Sequence, residues 1–438
     1  MLNKIVDFIE QNHLLDPRGS YLVALSGGAD SIALALAMKR LHFTIEAVHC
    51  NFQLRGAESQ RDEDFVKAFC LRQDIPLHLV HFDTKSYAHL HKVSIEMAAR
   101  QLRYAHFEAL RRDLQADEIL VAHHRDDSIE TMLMNLLRGT GIHGLTGIRP
   151  RNGHVVRPLL CVSRKEIEDW LQQQDEAYVT DSTNLVADVQ RNKIRLLLLP
   201  LLKDIVPQAS ENLFHSMWLL AEATKVYDAK IEETKSEVIF DNRIRMIDLL
   251  KLPSPLCLLF EWLAQYGFSS SVISQIATRM DTLSTGSVWT SPTHELCYDR
   301  GQLILQPIMP ERPTLRIPET GIYRYDEDAR IRVSTKNEAI VSRNPWVASL
   351  DADRVRFPLT VRAARPGDRF VPFGMKGSKL LSDFLTDRRL SVFDKHRQLI
   401  VTDASDNIVW VVGQRTDQHF SITTATITTL LLSYEREN

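Results

Sequence analysis

The sequence predicts an α/β fold: a doubly wound, parallel-sheet N-terminal domain, then a mainly helical middle domain and a small α+β C-terminal domain. Three observations predict it. Apolar strand-like runs alternate with helical patterns through the first half, an order that produces parallel pairing with crossover helices. The stretch from Asn184 to Ser236 reads as almost wholly helical, broken at Pro200 and Pro207. From Pro310 onward, short strand patterns separated by Pro and Gly turns take over. The domain limits read as 1–205, 206–345 and 346–438.

The first unit opens with the apolar run Tyr21-Leu22-Val23-Ala24-Leu25, the turn Ser26-Gly27-Gly28-Ala29-Asp30-Ser31, and the helical Ile32–Leu36. Thr44–His49 and Leu77–Phe82 are the next strands, with a helical stretch Ser59–Arg72 between them. A long helix near Ser94–Leu114, a strand at Glu118–His123 and a helix from about Ser128 to Arg138 complete the alternation. In such sheets ligands sit beyond the carboxyl ends of the strands. Ser26–Ser31 and His123–Glu130 both fall there, so they are expected to face one cleft. Leu252–Met280 offers two further short helices, and Leu359–Arg362, Leu399–Thr402 and Ile408–Val412 read as strands.

Composition sets limits. At 438 residues the chain exceeds one compact domain. Its formal net charge of −3 gives no whole-chain argument for nucleic acid. Residues 356–397, however, carry ten Lys and Arg against four Asp, leaving +6 on that segment. The five cysteines (50, 70, 161, 257 and 297) are odd in number and form no C-x-x-C pair. They give no support to a zinc ribbon, a cluster site or a disulfide framework, and they fit a reducing compartment. Met1–Leu15 lacks a signal-peptide core, and the most apolar run, Ile194–Leu202, holds Pro200 and is too short to span a bilayer. A cytoplasmic protein without a membrane partner is the expectation.

The paired glycines of Ser26–Ser31 let backbone N–H groups converge on an anion, and the following helix N-terminus adds partial positive charge. The expected guest is phosphate. No Gly-Lys-Ser/Thr ending is present, so this is not a Walker loop; it resembles the pyrophosphate loop of ATP pyrophosphatases. Asp127 and Glu130 share a helical face three residues apart, next to that loop. The spacing serves a capping box equally well, or a carboxylate pair that holds Mg²⁺ or an amine, with Asp30 joining them. Arg100 and Arg103 lie along one helix side with Glu96, either as an i,i+4 ion pair or as phosphate contacts. Arg191 and Arg195 share a face around Asn192; arginine forks onto phosphate and Asn reads base edges, while helix solubility is the competing account.

Together these segments resemble the tRNA(Ile)-lysidine synthetase family. The matching residues are SGGADS at 26–31, HCNFQLRG at 49–56, Glu96–Tyr104, HHRDDSIET at 123–131, LRGTGIHGL at 137–145, Val156–Leu160, Asp181–Asn184, Arg191–Arg195, VRAARPGDRFVPFGMKGSK at 361–379 and Gly413–Asp417. One departure stands out: Phe52 occupies a place where family members commonly carry histidine. The resemblance implies ATP-dependent ligation of lysine to C2 of the wobble cytidine of a CAU-anticodon isoleucine tRNA, through an adenylated cytidine. Ser26, Gly27, Gly28, Ala29, Asp30 and Ser31 would bind ATP. Asp30, and Asp127 beside it, would hold Mg²⁺ with the phosphates. Asp127 and Glu130 would hold the free lysine and act with Asp30 in catalysis. Arg100, Arg103, Arg191, Asn192, Arg195, Arg362 and Arg365 would contact tRNA. The segments 1–205, 206–345 and 346–438 would then be catalytic, tRNA-contacting and basic tRNA-binding domains. The oligomeric state stays open, a homodimer included.

Overall fold

The computed structural model describes residues 1–54, 56–179 and 190–436 and divides the chain into two compact units, Met1–Asp228 and Ala229–Asn438. The first unit runs Leu2–Gln11 (α1), Ser20–Ala24 (β1), Ala29–Arg40 (α2), Thr44–Asn51 (β2), Ala57–Gln73 (α3), Leu77–His81 (β3), Thr84–His91 (α4), Ile95–Asp113 (α5), Glu118–Leu120 (β4) and Arg125–Leu137 (α6). Ile142–Leu145 (α7), Arg151–Asn152 (β5), Val155–Val156 (β6), Arg164–Gln173 (α8), Gln190–Lys193 (α9) and Leu199–Ile205 (α10) follow, and Ala209–Val238 (α11) starts in the first unit and ends in the second.

The sheet order is β3-β2-β1-β4-β6-β5, parallel except for the β5–β6 edge pair. Side chains alternate across a strand, so each strand feeds two cores. Tyr21, Val23, Leu25, Ala47 and Leu120 pack with Ile5 of α1, Ile32 and Leu36 of α2, Phe69 of α3 and Leu171 of α8. Leu22, Val48 and Ile119, from the opposite set, pack with Phe107 and Ala116. Helices therefore cover both faces, as a doubly wound sheet requires. The chain leaves β1 toward β2 and β3, then returns to place β4 on the other side of β1. That reversal opens a crevice beyond the carboxyl ends of β1 and β4.

Two local expectations shift. The helical run after Lys193 is not interrupted at Pro200; a π-helical turn spans Ile194–Leu198 and Pro200 sits in the first turn of α10, where its missing N–H costs nothing. The break falls between Ile205 and Ala209. The family-like segment Asp181–Asn184 lies outside the described residues.

In the second unit, five antiparallel strands in the order 239–240, 243–245, 302–307, 294–299, 288–290 pack against helices Pro255–Leu263 and Ser270–Thr278, with Ile244, Trp262, Ile273 and Leu303 fully buried or nearly so. The stretch 206–345 thus contains strands as well as helices. Residues 315–436 form a five-stranded and a four-stranded antiparallel sheet around a shared core that includes Ile331, Val361, Trp410 and Leu432. Among the described residues no helix is long and apolar enough to cross a membrane.

Candidate active site

The glycine turn after β1 has the geometry of an anion cradle. Gly27 takes φ +93°, a conformation open to glycine and costly for other residues, while Gly28 is the extended N-cap of α2. The N–H groups of Ser26 and Gly27 both donate to the Ser31 hydroxyl, at 3.2 and 3.1 Å. Ser31 Oγ in turn donates to the Gly28 carbonyl at 2.9 Å. Two backbone donors are thus aimed at one point at a helix start, the arrangement that suits a phosphate oxygen. The backbone N–H of Val179, after α8, donates to Gly27 O at 3.0 Å.

A cleft of about 300 Å³ opens between β1 and β4. Ser26, Asp30 and Ser31 line it from the glycine turn, His123 and Asp127 from the β4–α6 junction, and Arg100, Arg103 and Tyr104 from α5. The two motifs expected to meet do meet. Arg100 does not pair with Glu96; its guanidinium lies 5.0 Å from the Tyr104 ring centroid, and that of Arg103 lies 5.1 Å from Phe52. Phe52 stacks on Phe82 at 5.6 Å. Where the resemblance leads one to expect an imidazole, this cleft has an apolar, cation-capped wall.

Asp30 and Asp127 are electrostatic opposites. Burial raises the Asp30 carboxyl above its ordinary range, with His124 and Arg164 only partly offsetting it. Arg164 donates to Oδ2 at 2.6 Å, while Oδ1 is buried with no hydrogen-bond partner. For Asp127 burial also acts upward, but His124, Arg191 and His123 outweigh it and hold the carboxyl below its usual value. The capping box proves to be His124–Asp127, not Asp127–Glu130. His124 N donates to Asp127 Oδ2 at 3.1 Å and Asp127 N donates to His124 Nδ1. Glu130 is therefore free of capping duty.

Glu130 is only 1% exposed, yet it is fully compensated. Arg191 Nε donates to Oε2 at 2.7 Å and Arg195 Nε to Oε1 at 2.6 Å. The same guanidiniums reach Asp127 Oδ1 at 3.0 and 3.3 Å. Arg191 and Arg195, expected on tRNA, thus engage the carboxylate pair in this structure; Arg191 and Asn192 lie on α9 and Arg195 on the π-helical turn that follows it.

Residues that sequence reasoning gave no role complete the site. Burial pushes His123 down to about 4, so its ring is neutral. Arg157 Nε donates to His123 Nδ1 at 3.1 Å, which leaves the proton on Nε2. His123 and His124 were visible in the motif at 123–131; Arg157 and Arg164 carried no local signal of their long-range partners.

In the second unit one expectation needs correction. Arg362, expected to contact tRNA, is 4% exposed and forks onto Asp368 at 2.9 Å through each Nη. A guanidinium so buried and bidentately held presents nothing to a phosphate. Arg365, next to it, is exposed.

A model of the PP-loop domain matches residues 2–202, a TilS substrate-binding domain 241–308, and a TilS C-terminal domain 359–430. The tRNA(Ile)-lysidine synthase of Parabacteroides distasonis is 44% identical, covering 99% of this chain and all of that protein. The chain belongs to the tRNA(Ile)-lysidine synthase family. The Bacteroides thetaiotaomicron protein of the same name is 43% identical over 96% of each chain, and a Porphyromonas gingivalis one is 36% identical over 92% and 91%. As a member of this family the chain is an ATP-using, tRNA-modifying ligase.

Proposed function

We propose that the β1–β4 cleft joins free lysine to C2 of the wobble cytidine of a CAU-anticodon isoleucine tRNA in two steps, changing decoding from AUG to AUA. In the first, the cytidine O2 attacks the α-phosphorus of ATP; an O–P bond forms, the α–β bridge breaks and pyrophosphate leaves. In the second, the lysine ε-amine attacks C2, the C2–O bond breaks and AMP departs. The observation that supports this reading is the cleft itself, which Ser26 and Asp30 of the glycine turn share with Asp127, whose carboxylate accepts from the same two arginines as Glu130.

The Ser26 and Gly27 N–H groups would turn from Ser31 Oγ to the phosphate oxygens, and Ser31 would follow as a further donor. Arg100 and Arg103 lie on the same cleft and would meet phosphate from the α5 side. Mg²⁺, when bound, neutralises charge on the departing pyrophosphate. Asp30 fits it: its buried Oδ1 accepts no hydrogen bond and has only His124 Nε2, at 3.7 Å, beside it, and Asp127 lines the same cleft. No group of three or more metal-ligating side chains occurs among the described residues, which agrees with an ion that takes most of its ligands from phosphate and water.

Asp127 and Glu130 would receive the lysine ammonium, sharing it with Arg191 and Arg195 or exchanging one cation for another. A buried carboxylate stripped of its partner costs about 3–5 kcal/mol, so the exchange keeps the charge balanced. The two arginines also disfavour a third positive charge nearby. They offset the pull of the two carboxylates on the ammonium pKa, about 10.4 for the free side chain, so the carboxylate pair would accept the proton that the ε-ammonium must lose before the free amine attacks. The wobble base must leave the anticodon stack to be attacked in its ring, and the guanidiniums of Arg100 and Arg103, resting on Tyr104 and Phe52 in the cleft, would meet its flanking phosphates.

Radiolabelled lysine, ATP and an isoleucine tRNA transcript, each omitted in turn, test this. Label should enter tRNA only when all three are present, with one AMP and one pyrophosphate formed per lysine. Incorporation without ATP, or into a transcript whose wobble position is uridine, would overturn the reading.

A further inference from the structure

A second cavity, of about 360 Å³, lies wholly within the second unit and shares no residue with the nucleotide cleft. Five separate segments build it: the turn at Arg312, the turn at Trp346, the helix end at Asp394 and Arg397, the turn Val412–Gln414, and the strand residues Tyr434 and Arg436. The Nε atoms of Arg312 and Arg397 are buried there and neither has a hydrogen-bond partner. Among the described residues neither guanidinium is paired with a carboxylate. Arg436 lines the same cavity, and the buried Tyr434 hydroxyl there also has no hydrogen-bond partner. Each Nε is an unmet donor, and the guanidinium fork matches the oxygens of a phosphate.

The other wall is aromatic. Trp346 is 49% exposed and lies 5.8 Å from Tyr434, with 31° between ring planes. Gly413 makes room for that indole: a Cβ there would fall 2.8 Å from the ring, and its φ of +72° also favours glycine. The family-like segment Gly413–Asp417 is therefore partly a seat for Trp346. Asp394, on the same rim, is held by Ser391 and offers an acceptor that a ribose hydroxyl can use. Phosphate donors, a half-open stacking face and a sugar acceptor within one cavity are the three parts of a nucleotide site.

We infer that this cavity takes one nucleotide of the tRNA, outside the anticodon, with its phosphate on Arg312 and Arg397 and its base against Trp346. The inference rests on tRNA being the substrate. A free mononucleotide shares the chemistry, and the test separates the two sources.

Full-length protein is first shown to form lysidine, so that failure there indicts the reaction and not this cavity. Steady-state constants and hydroxyl-radical footprints on tRNA are then compared for Trp346→Ala and for Arg312→Gln/Arg397→Gln, with Lys336→Gln as a charge control. The cavity variants should raise the KM for tRNA about tenfold or more, leave those for ATP and lysine unchanged, and lose protection over one short stretch while keeping the anticodon protected. The milder Trp346→Phe and Arg397→Lys, which keep bulk and charge, should fall between and read the site even if the harsher variants misfold. An unchanged KM and footprint in folded variants overturns the inference. So does equilibrium dialysis with labelled AMP, if the variants lose one bound equivalent while tRNA handling stays normal, because the cavity then serves a free nucleotide.

Discussion

Replacing Glu130 by Gln keeps the side chain's shape and removes its charge. In the structure both carboxylate oxygens accept charge-assisted hydrogen bonds, three in all from Arg191 and Arg195. An ammonium that binds there would gain one such bond, worth about 1.5–3 kcal/mol, which converts to a loss of about 10- to 150-fold in kcat/KM for lysine. Pyrophosphate release needs no amine, so it should change by less than about threefold when measured without lysine. Stability has to be followed in parallel. The arginines are about one-third exposed, so the unfolding cost should stay below the roughly 3–5 kcal/mol of a fully buried broken pair. The assay pairs a pyrophosphate-coupled readout of the first step with lysine incorporation for the second. If pyrophosphate release collapses while the KM for lysine is unmoved, Glu130 belongs to adenylation or to folding, and the assignment of the carboxylate pair to lysine is wrong.

Gly27→Ala places a methyl 3.3 Å from Val66 Cγ2 at φ +93°; about 1–2 kcal/mol of backbone strain should appear in a urea midpoint, and ATP affinity should fall further than stability does. Arg362→Ala strips Asp368 of a buried partner and should cost about 3 kcal/mol in the second unit's unfolding, whereas Arg365→Ala, exposed, should leave stability within about 0.5 kcal/mol and weaken tRNA binding at moderate salt. His123 makes stability pH-dependent. Its folded pKa, about 4, lies below the unfolded value of 6.5, so the unfolded chain binds the proton first as pH falls. This contribution is fully present above about pH 6.5 and is lost progressively toward pH 4, to a total of about 3 kcal/mol. His123→Gln should flatten the urea-midpoint profile across that window; an unchanged profile would show the ring to be solvated.

The first unit was legible because its signals are local. Alternating apolar residues set the two sheet faces, and Gly27 and Gly28 stand directly between a strand and a helix. The meeting of Asp30 with Asp127 also followed, since both motifs end strands beside the switch point. What sequence did not disclose are partners distant along the chain. Arg191 and Arg195 reach Glu130 across 61 and 65 residues, so a shared helical face was visible and its target was not. Arg362 misled because a charge count treats every arginine as solvent-facing. It lies on a strand whose neighbours Val361 and Leu359 are buried, and Asp368 lets it turn inward. His124 as an N-cap escaped notice because Ser, Thr, Asp and Asn are the usual caps.

The division of labour within the cleft follows from which carboxylate oxygen still lacks a hydrogen-bond donor. Asp127 accepts from Arg191 and Arg195 at 3.0 and 3.3 Å with His124 beside it, and its charge is secured before any substrate arrives. Asp30 has Oδ2 on Arg164, while Oδ1 accepts no hydrogen bond and has only His124 Nε2 at 3.7 Å, and burial raises its pKa. Two acids in one cleft whose environments push them apart are suited to different tasks. Oδ1 of Asp30, adjoining the glycine cradle, is where added positive charge gains most, because it relieves a desolvated group and offsets the phosphates together. At Asp127 and Glu130 an arriving cation gains only by displacing or sharing one already there.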